Sequence, residues 1–331
     1  MRPTMDTPIQ KPFGLRFNDW FEAKMFIITP VSMILGFFFY KWLEDATVLV
    51  PYLFAYITFV MALGCNPRQM RDALGMPLPI IVTLSLVHLV APLAAYAAGT
   101  LLFGAGSPYV VGLVLFAVIP LGVSSVIWVG LSGGNVPLVL TLIVIDSLIS
   151  PFVVPLAVDM LFGADIHFDH WKVMLDLLVI IFIPTVLGVA VNAASKGRAK
   201  LWSAPYSMPV SKVAFAAVIL INAAAIAPHV FAMGTDLIRL IPVVLLFVAF
   251  CYALGWFGAL PFRNKEITVT ITYSSGMRNI SLGIVIALQY FEPAAAVPVV
   301  MGILIQQPMA TLQNRLQKLY WKKRESRVTL T

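Results

Sequence analysis

Hydrophobic positions fall into long runs separated by short polar stretches along most of the chain. An α-helix needs about 20 apolar residues to cross the hydrocarbon core of a bilayer, and the runs recur at that length. The pattern therefore predicts an all-α membrane protein with ten transmembrane helices. The predicted spans are residues 26–42, 46–65, 77–103, 107–131, 136–162, 172–194, 208–231, 237–260, 267–291 and 294–316.

Composition excludes the alternative of a large soluble protein with buried helices. The chain is 60% hydrophobic and 11% charged, and a soluble protein of 331 residues would need far more charged surface. The loops are too short for a soluble domain, and the N-terminus lacks the pattern of a cleaved signal peptide. The amphipathic stretch 13–26 is predicted to lie along the membrane interface before the first span.

Basic residues indicate the orientation. Eighteen Lys and Arg fall on one side of a ten-helix topology and three, Lys41, Lys172 and Arg239, on the other. The positive-inside rule then places both termini in the cytoplasm of a protein integral to the cell membrane. The net charge of +7 requires no nucleic-acid partner, since the basic tail is expected to face anionic membrane lipid.

Ten helices divide into two halves of five, and an odd number per half gives the halves opposite orientations, as in transporters built from inverted repeats. Residues 135–139 (Asn-Val-Pro-Leu-Val) and 296–300 (Ala-Val-Pro-Val-Val) open the fifth helix of each half. We predict one membrane domain made of a cytoplasmic segment (1–25), two repeats (26–165 and 166–316) and a basic cytoplasmic tail (317–331).

Spans 4 and 9 are predicted to be interrupted at matching places. Residues 120–125 (Pro-Leu-Gly-Val-Ser-Ser) combine a proline, which removes a backbone donor, with a glycine, which lowers the cost of unwinding. Residues 274–279 (Ser-Ser-Gly-Met-Arg-Asn) lie at the corresponding place of the second half. A simple helix kink is the alternative. Matched interruptions predict a substrate site near the middle of the membrane.

Two side chains expected to carry charge are embedded in apolar stretches, Arg278 in span 9 and Asp146 in span 5. An arginine at the bilayer centre costs about 2.5–3.5 kcal/mol on insertion scales, so it should face protein or water and mark a functional site.

At the two interruptions the chain resembles the bile acid:sodium symporter family and its wider superfamily, which includes arsenite exporters. The resemblance covers nearly all ten helices. Its most specific parts run from Pro120 through Gly134-Asn135 to Ser150-Pro151, and from Thr272 to Asn279. It implies ten helices in two inverted repeats, a panel and a core domain, and unwound helices 4 and 9 that cross.

The chain departs from the family at the positions that the resemblance assigns to sodium. Ser125 stands where symporters have Asn, Ser274 where they have Glu, and Arg278 where they have Gln. Hydroxyls of helix 5 are replaced by Val139 and Ile143, and a glutamine of helix 3 by Val87. Ser124, the Ser125 hydroxyl and carbonyls near Met277 remain as sodium ligands.

Loss of the glutamate removes a compensating charge, and the guanidinium adds a repulsion of roughly 4 kcal/mol at about 4 Å. We therefore expect sodium coupling to be lost and Arg278 to act as a fixed cation. Its planar fork also suits an oxyanion of the substrate.

Asp146 and His88 are the candidate coupling residues. One hypothesis pairs Asp146 with Arg278 in the empty state, so that proton or substrate binding breaks the pair. The alternative is a permanent structural pair. His88, beside Val87, is either part of a proton relay or an interhelical hydrogen-bond donor.

The other predicted substrate-binding residues are polar side chains near the interruptions or on helices 7 and 10. Alternatively, Asn222 forms an interhelical hydrogen bond. The full set is Ser124, Ser125, Ser274, Ser275, Arg278, Asn279, Asn222 and Gln306, with Gln307 beside the last.

The pattern thus favours a secondary transporter of a small organic anion, sodium-independent or proton-coupled. The alternative is an arsenite, metalloid or oxyanion efflux carrier, although Leu121 stands where that branch has a cysteine after the proline. We expect no enzymatic activity, cofactor or metal, since no nucleophile–base pair is visible, His167 and His170 lie in a loop, and Cys65 and Cys251 are far apart.

Overall fold

A computed structural model describes residues 11–163, 169–232 and 236–328 of the chain, almost entirely as helices. Short turns join some of them, and α4 and α8 each contain a π-helical turn, at Leu86–Val90 and Leu178–Phe182. The helices are α1 (Phe13–Phe38), α2 (Val50–Leu63), α3 (Pro67–Leu74), α4 (Pro77–Phe103), α5 (Pro108–Val118), α6 (Ser125–Leu131), α7 (Val136–Phe162), α8 (His170–Ala194), α9 (Arg198–Ala232), α10 (Asp236–Ala259), α11 (Lys265–Gly276), α12 (Ile280–Tyr290) and α13 (Ala296–Val328).

The chain is an integral membrane protein. Within the described residues, seven helical segments are long and apolar enough to cross a membrane, in α2, α4, α7, α8, α9, α10 and α13. An eighth is α1, if its two parts are counted as one span. Large apolar side chains cover the outer surface of these helices; Leu101 is 85% exposed and Trp202 80%. Apolar surface of this kind fits hydrocarbon rather than water.

The two predicted spans that do not pass this test are the interrupted ones. Span 107–131 consists of α5 and α6, and span 267–291 consists of α11 and α12. Between the helices lie residues 119–124 and 277–279. Both interruptions predicted from the sequence are therefore present, but with different bounds: residues 274–276 still belong to α11, and Ser125 already begins α6.

Several helices begin where the sequence supplies a cap. The side chains of Asn135 and Asn264 accept hydrogen bonds from backbone N–H groups of the first turns of α7 and α11. Asn66, Ser107 and Asp169 do the same for α3, α5 and α8. A side-chain oxygen at this position satisfies one of the free donors of a helix start, so polar residues at the loop ends fix the helix boundaries.

The helices pack in two groups. The first group consists of α1, α2, α8 and α9, and the second of α4, α5, α10, α11, α12 and α13. α3 and α7 lie between them, and α6 packs on α7 and α11. The two interruptions lie in the second group, in its most buried part, since residues 110–118 of α5 and 268–276 of α11 are buried throughout.

The first and last helices continue beyond the predicted spans. α1 bends by 77° between Phe13–Met25 and Ile27–Phe38, so the amphipathic stretch forms a helical segment distinct from the apolar part of α1. The basic tail predicted from residue 317 onward continues α13 as a helix to Val328. The division into two inverted repeats stays a prediction.

Candidate functional site

The two interruptions pair with each other through their backbones. Leu121 and Arg278 form an isolated antiparallel β-bridge. The N–H of Gly122 donates to the carbonyl of Met277 at 2.9 Å, and the N–H of Asn279 donates to the carbonyl of Pro120 at 2.8 Å. Unwound backbone within a membrane must find partners in the protein, and here each interruption supplies them to the other. We call this junction the crossing.

Gly122 allows the close approach at the crossing. A Cβ atom at this position would lie 2.7 Å from the carbonyl oxygen of Arg278 and 3.0 Å from its carbon. These are backbone atoms, so they cannot rotate away as a flexible side chain could. The glycine predicted to ease unwinding therefore also lets the two chains touch.

Within this bridge, the N–H and C=O groups of Leu121 and Arg278 point away from each other and need other partners. Arg278 receives both from one side chain: its N–H donates to Oε1 of Gln306 at 2.8 Å, and Nε2 of Gln306 donates to its carbonyl at 3.2 Å. Gln306 is 4% exposed, so these bonds are largely shielded from bulk water. A residue predicted to line the cavity thus also clamps the crossing.

The N–H of Leu121 has a charged partner. It donates to Oδ2 of Asp146 at 2.5 Å, while Oδ1 of Asp146 pairs with Nε2 of His88 in a short contact. Asp146 is fully buried, and the side chain of His88 is 10% exposed. The two candidate coupling residues are therefore in direct contact with each other, and one of them holds the crossing.

The predicted pair between Asp146 and Arg278 is wrong for this structure. Both oxygens of Asp146 are occupied by Leu121 and His88, whereas the guanidinium folds back along its own chain, where Nη1 donates to the carbonyl of Ser274 at 3.5 Å. Its Nε and Nη2 have no hydrogen-bond partner among the described residues. The unwound backbone supplies a donor that competes for the carboxylate, and this donor cannot be seen in a pattern of charges.

A cavity of about 400 Å³ lies between the two helix groups and reaches the crossing. Of the predicted substrate-binding residues, Ser124, Arg278, Asn279 and Gln306 line it, as does Gln307. The neighbours of the guanidinium do not line this cavity. Ser274 accepts its hydrogen bond, and Asp146 and Cys251 interact with it electrostatically. Arg278 is 1% exposed and its Nε and Nη2 are buried, so its guanidinium is largely shielded from the cavity.

The remaining predicted residues lie outside this cavity. The hydroxyls of Ser125, Ser274 and Ser275 are buried and have no hydrogen-bond partner among the described residues. Asn222 donates to the carbonyl of Ser281 at 3.3 Å, which matches its alternative interpretation as an interhelical contact. Val87, Val139 and Ile143, at the positions of lost sodium ligands, are fully buried in the apolar core.

Besides Arg278, three charged residues that were not among the predicted site residues line the cavity: Glu22, Lys200 and Lys212. Lys212 forms an ion pair with Glu22 at 2.9 Å. Lys200 donates to the carbonyl of Gly64 at 3.2 Å and has no carboxylate within 4.0 Å among the described residues. Only Lys212 gave a sequence signal for a position in the cavity, because it lies inside the predicted span 208–231. Lys200 lies before that span.

Trp128 connects the two interrupted segments to the last helix. Its Nε1 donates to Oε1 of Gln307 at 2.9 Å, and its ring stacks on Tyr273 with 6.2 Å between ring centroids. This indole also lines a second cavity of about 610 Å³ between α1, α6 and α13.

The other sequence predictions concern metals and cysteines. No group of three His, Cys, Asp or Glu residues that could hold a metal ion occurs in the described part of the chain. Cys65 and Cys251 are buried free thiols. His167 lies outside the described residues, and His170 lies 3.8 Å from the carboxylate of Asp159 on the surface.

Long apolar helices around two paired interruptions and an adjoining cavity define an integral membrane protein of the transporter class. Residues 50–234, more than half of the chain, match the Sodium Bile acid symporter family. The chain therefore belongs to that family, as the resemblance implied.

Curated relatives support this assignment. The chain is 38% identical over 288 residues to Uncharacterized protein YbaS of Bacillus subtilis, covering 86% of this chain and 94% of that protein. It is 28% identical over 265 residues to the Probable sodium/metabolite cotransporter BASS1, chloroplastic, of rice (78% and 63%). It is 24% identical over 302 residues to the Uncharacterized sodium-dependent transporter YocS of Bacillus subtilis (89% of each).

Proposed function

We propose that the chain is a secondary active transporter of a small organic anion that works without sodium. The observation that carries this proposal is the buried guanidinium of Arg278 at the crossing, with no carboxylate bound to it among the described residues. In this proposal a covalently attached cation stands where the relatives of this family would bind a coupling cation.

The oxygen atoms at the crossing support the proposal that sodium is not bound there. Sodium prefers several oxygen ligands, and here the carbonyl of Met277 accepts from Gly122 while Asp146 is occupied by His88 and Leu121. A guanidinium at about 4 Å would repel a sodium ion by roughly 4 kcal/mol at an effective dielectric of 20. The three serine hydroxyls do not offset that repulsion, because they carry no charge.

The cavity supports an anionic substrate. Asn279 and the start of α12 face it, and the N-terminal end of a helix carries a partial positive charge. The ammonium of Lys200 adds a full charge at the rim. An anion bound between the helix groups would contact Ser124 and Asn279, while Arg278 contributes its field from behind the crossing rather than a direct fork.

The proposal includes the ten-span topology with both termini cytoplasmic, in the cell membrane. Seven or eight spanning helices and two interrupted segments add up to this arrangement if α1 and each interrupted segment count as one span. Movement of the two helix groups against each other would then expose the cavity to the two sides in turn. The metalloid alternative is not favoured, because the family match and the relatives with functional names point to the symporter branch.

The test is uptake into proteoliposomes with imposed ion gradients. Labelled taurocholate and small mono- and dicarboxylates serve as probes, under a sodium gradient, a proton gradient or neither. We expect uptake of at least one carboxylate or sulfonate that an inward sodium gradient does not accelerate. Strict sodium dependence would contradict the proposal.

A gain-of-function variant supplies the control. Ser274→Glu combined with Arg278→Gln restores the residue types that the resemblance assigns to sodium binding. We expect sodium to raise the melting temperature of this double variant and to leave that of the unmodified protein unchanged. Equal sodium-dependent stabilisation of both proteins would show that Arg278 does not replace the ion.

A further inference from the structure

The contact between His88 and Asp146 has features that a merely structural pair does not need. Asp146 is fully buried in the middle of α7, and His88 lies in the π-helical turn Leu86–Val90 of α4. π-Helical turns are rare and occur frequently at functional sites. Nδ1 of His88 is buried and has no hydrogen-bond partner in the described part of the chain, so the ring is not held at both nitrogens.

Asp146 links this pair to the crossing. Its second oxygen accepts the N–H of Leu121 at 2.5 Å, a hydrogen bond to a carboxylate. Such bonds are roughly twice as strong when the acceptor is ionised as when it is neutral. A proton on Asp146 would therefore weaken the bond that holds Leu121, and with it one edge of the crossing.

On the elements packed around this pair, most other titratable groups are engaged or lie near helix ends. Arg278, in the second interruption, interacts electrostatically with Asp146 and with Cys251 of α10. No titratable side chain occurs in residues 110–118 of α5 or in α6. The α8 carboxylate of Asp176 is engaged by the hydroxyl of Tyr290. The other titratable groups of α3 and α8 are Arg68, Arg71, Asp72, His170 and Lys172, near helix ends.

We infer that His88 and Asp146 form the proton-binding site of this transporter, and that the proton bound there loosens the hold of Asp146 on Leu121 at the crossing. The inference rests on the proposed function, because it identifies the coupling ion of a sodium-independent transporter. No bond between heavy atoms changes: one proton passes from hydronium to the carboxylate of Asp146, forms an O–H bond there beside the imidazole of His88, and returns to water when it leaves. Arg278 supplies the fixed positive charge, and the pair supplies the variable one.

Infrared difference spectroscopy of the whole protein in nanodiscs tests the site without any substrate. Acidification from neutral pH should produce the carbonyl stretch of a protonated carboxylic acid in a buried environment. Asp146→Asn should abolish this band, and His88→Gln should shift the pH at which it appears. Asn keeps an oxygen for the N–H of Leu121, so this variant can preserve the fold, and a thermal melt checks that it does.

Asp159→Asn is the matched control, since Asp159 also lies beside a histidine but its side chain is 52% exposed. That variant should keep the buried band. A band that survives in Asp146→Asn, or that is unaffected in His88→Gln, overturns the inference.

Uptake under a proton gradient separates this inference from the proposed function. Transport of a carboxylate that is driven by protons in the unmodified protein and in Asp146→Asn alike contradicts the site, and leaves the transporter proposal intact. Sodium-driven transport together with the Asp146 band contradicts the proposed function instead. Loss of proton-driven uptake in Asp146→Asn, with sodium-independent counterflow retained, supports both.

Discussion

The two interruptions meet at the same crossing, yet their supports differ in chemical kind. The first, at residues 119–124, is held at Leu121 by the carboxylate of Asp146. The second, at residues 277–279, is held at Arg278 by the amide of Gln306, which satisfies the N–H and the C=O together. A carboxylate can gain a proton, whereas a side-chain amide stays neutral at physiological pH. One edge of the crossing can therefore respond to protonation, and the other is fixed.

The largest effect is expected from removing the close contact that both interruptions share. Gly122→Val places a branched side chain against the backbone of Arg278, within 2.7 Å at the Cβ atom. We expect this variant to yield no folded protein in size-exclusion chromatography. Gly130→Ala is the control, because its Cβ would lie 3.7 Å from the nearest side chain, and it should melt like the unmodified protein. A folded, transport-competent Gly122→Val protein would show that the crossing is wider than the structure indicates.

The fixed edge should be the more expensive one to remove. Gln306→Leu leaves the buried N–H and C=O of Arg278 without partners, which costs about 2–6 kcal/mol, since each unsatisfied group costs about 1–3 kcal/mol. The melting temperature in detergent measures this loss. Gln307→Leu removes one bond to Trp128 at a partly exposed site and should cost less than about 1 kcal/mol. Equal losses in the two variants would argue against the clamp.

Asp146→Asn, at the edge that can respond to protonation, should cost less stability than Gln306→Leu but should change the pH dependence of uptake more. Asp146→Asn exchanges a charge-assisted bond to Leu121 for a neutral one, at a cost of about 1 kcal/mol. In return, the pH dependence of uptake should flatten, whereas Gln306→Leu should weaken uptake at every pH. Measuring uptake of one labelled carboxylate across a pH series distinguishes these profiles. A pH dependence that is unchanged in Asp146→Asn would remove the difference between the two edges.

The smallest effect is expected away from the crossing. Lys200→Gln removes a charge from the cavity rim without breaking an ion pair among the described residues. Partly exposed charges contribute up to about 1 kcal/mol, so we expect a KM for the anion raised by less than about tenfold and an unchanged melting temperature. Arg16→Gln, which removes an exposed charge outside the cavity, is the control and should leave KM unchanged.

The positions of the interruptions could be predicted from the sequence, because proline and glycine act locally on the backbone. The partners of Asp146 could not. A pattern of apolar residues gives the depth of Asp146 and Arg278 in the membrane, but it does not say which way each side chain points around its helix. The N–H that Asp146 accepts exists only because the backbone of Leu121 is unwound and paired with the other interruption.

The roles of the cavity residues were predictable to different degrees. Gln306 was expected near the substrate because of its place on the last helix. Its two hydrogen bonds to the backbone of Arg278 depend on the tertiary fold. Lys200 was placed with the loop charges, since its position before a span says nothing about a cavity between helix groups. The field of a buried Arg278 was expected, whereas the burial of its guanidinium behind the crossing was not.

The β-bridge between Leu121 and Arg278 limits how the protein can move. Two backbone hydrogen bonds tie α5 and α6 to α11 and α12, so the four half-helices share one joint and cannot shift independently of each other. A displacement that begins at either interruption is passed to the other half of the chain through main-chain atoms. We therefore expect motions in which the crossing moves as one body past α1, α2, α8 and α9.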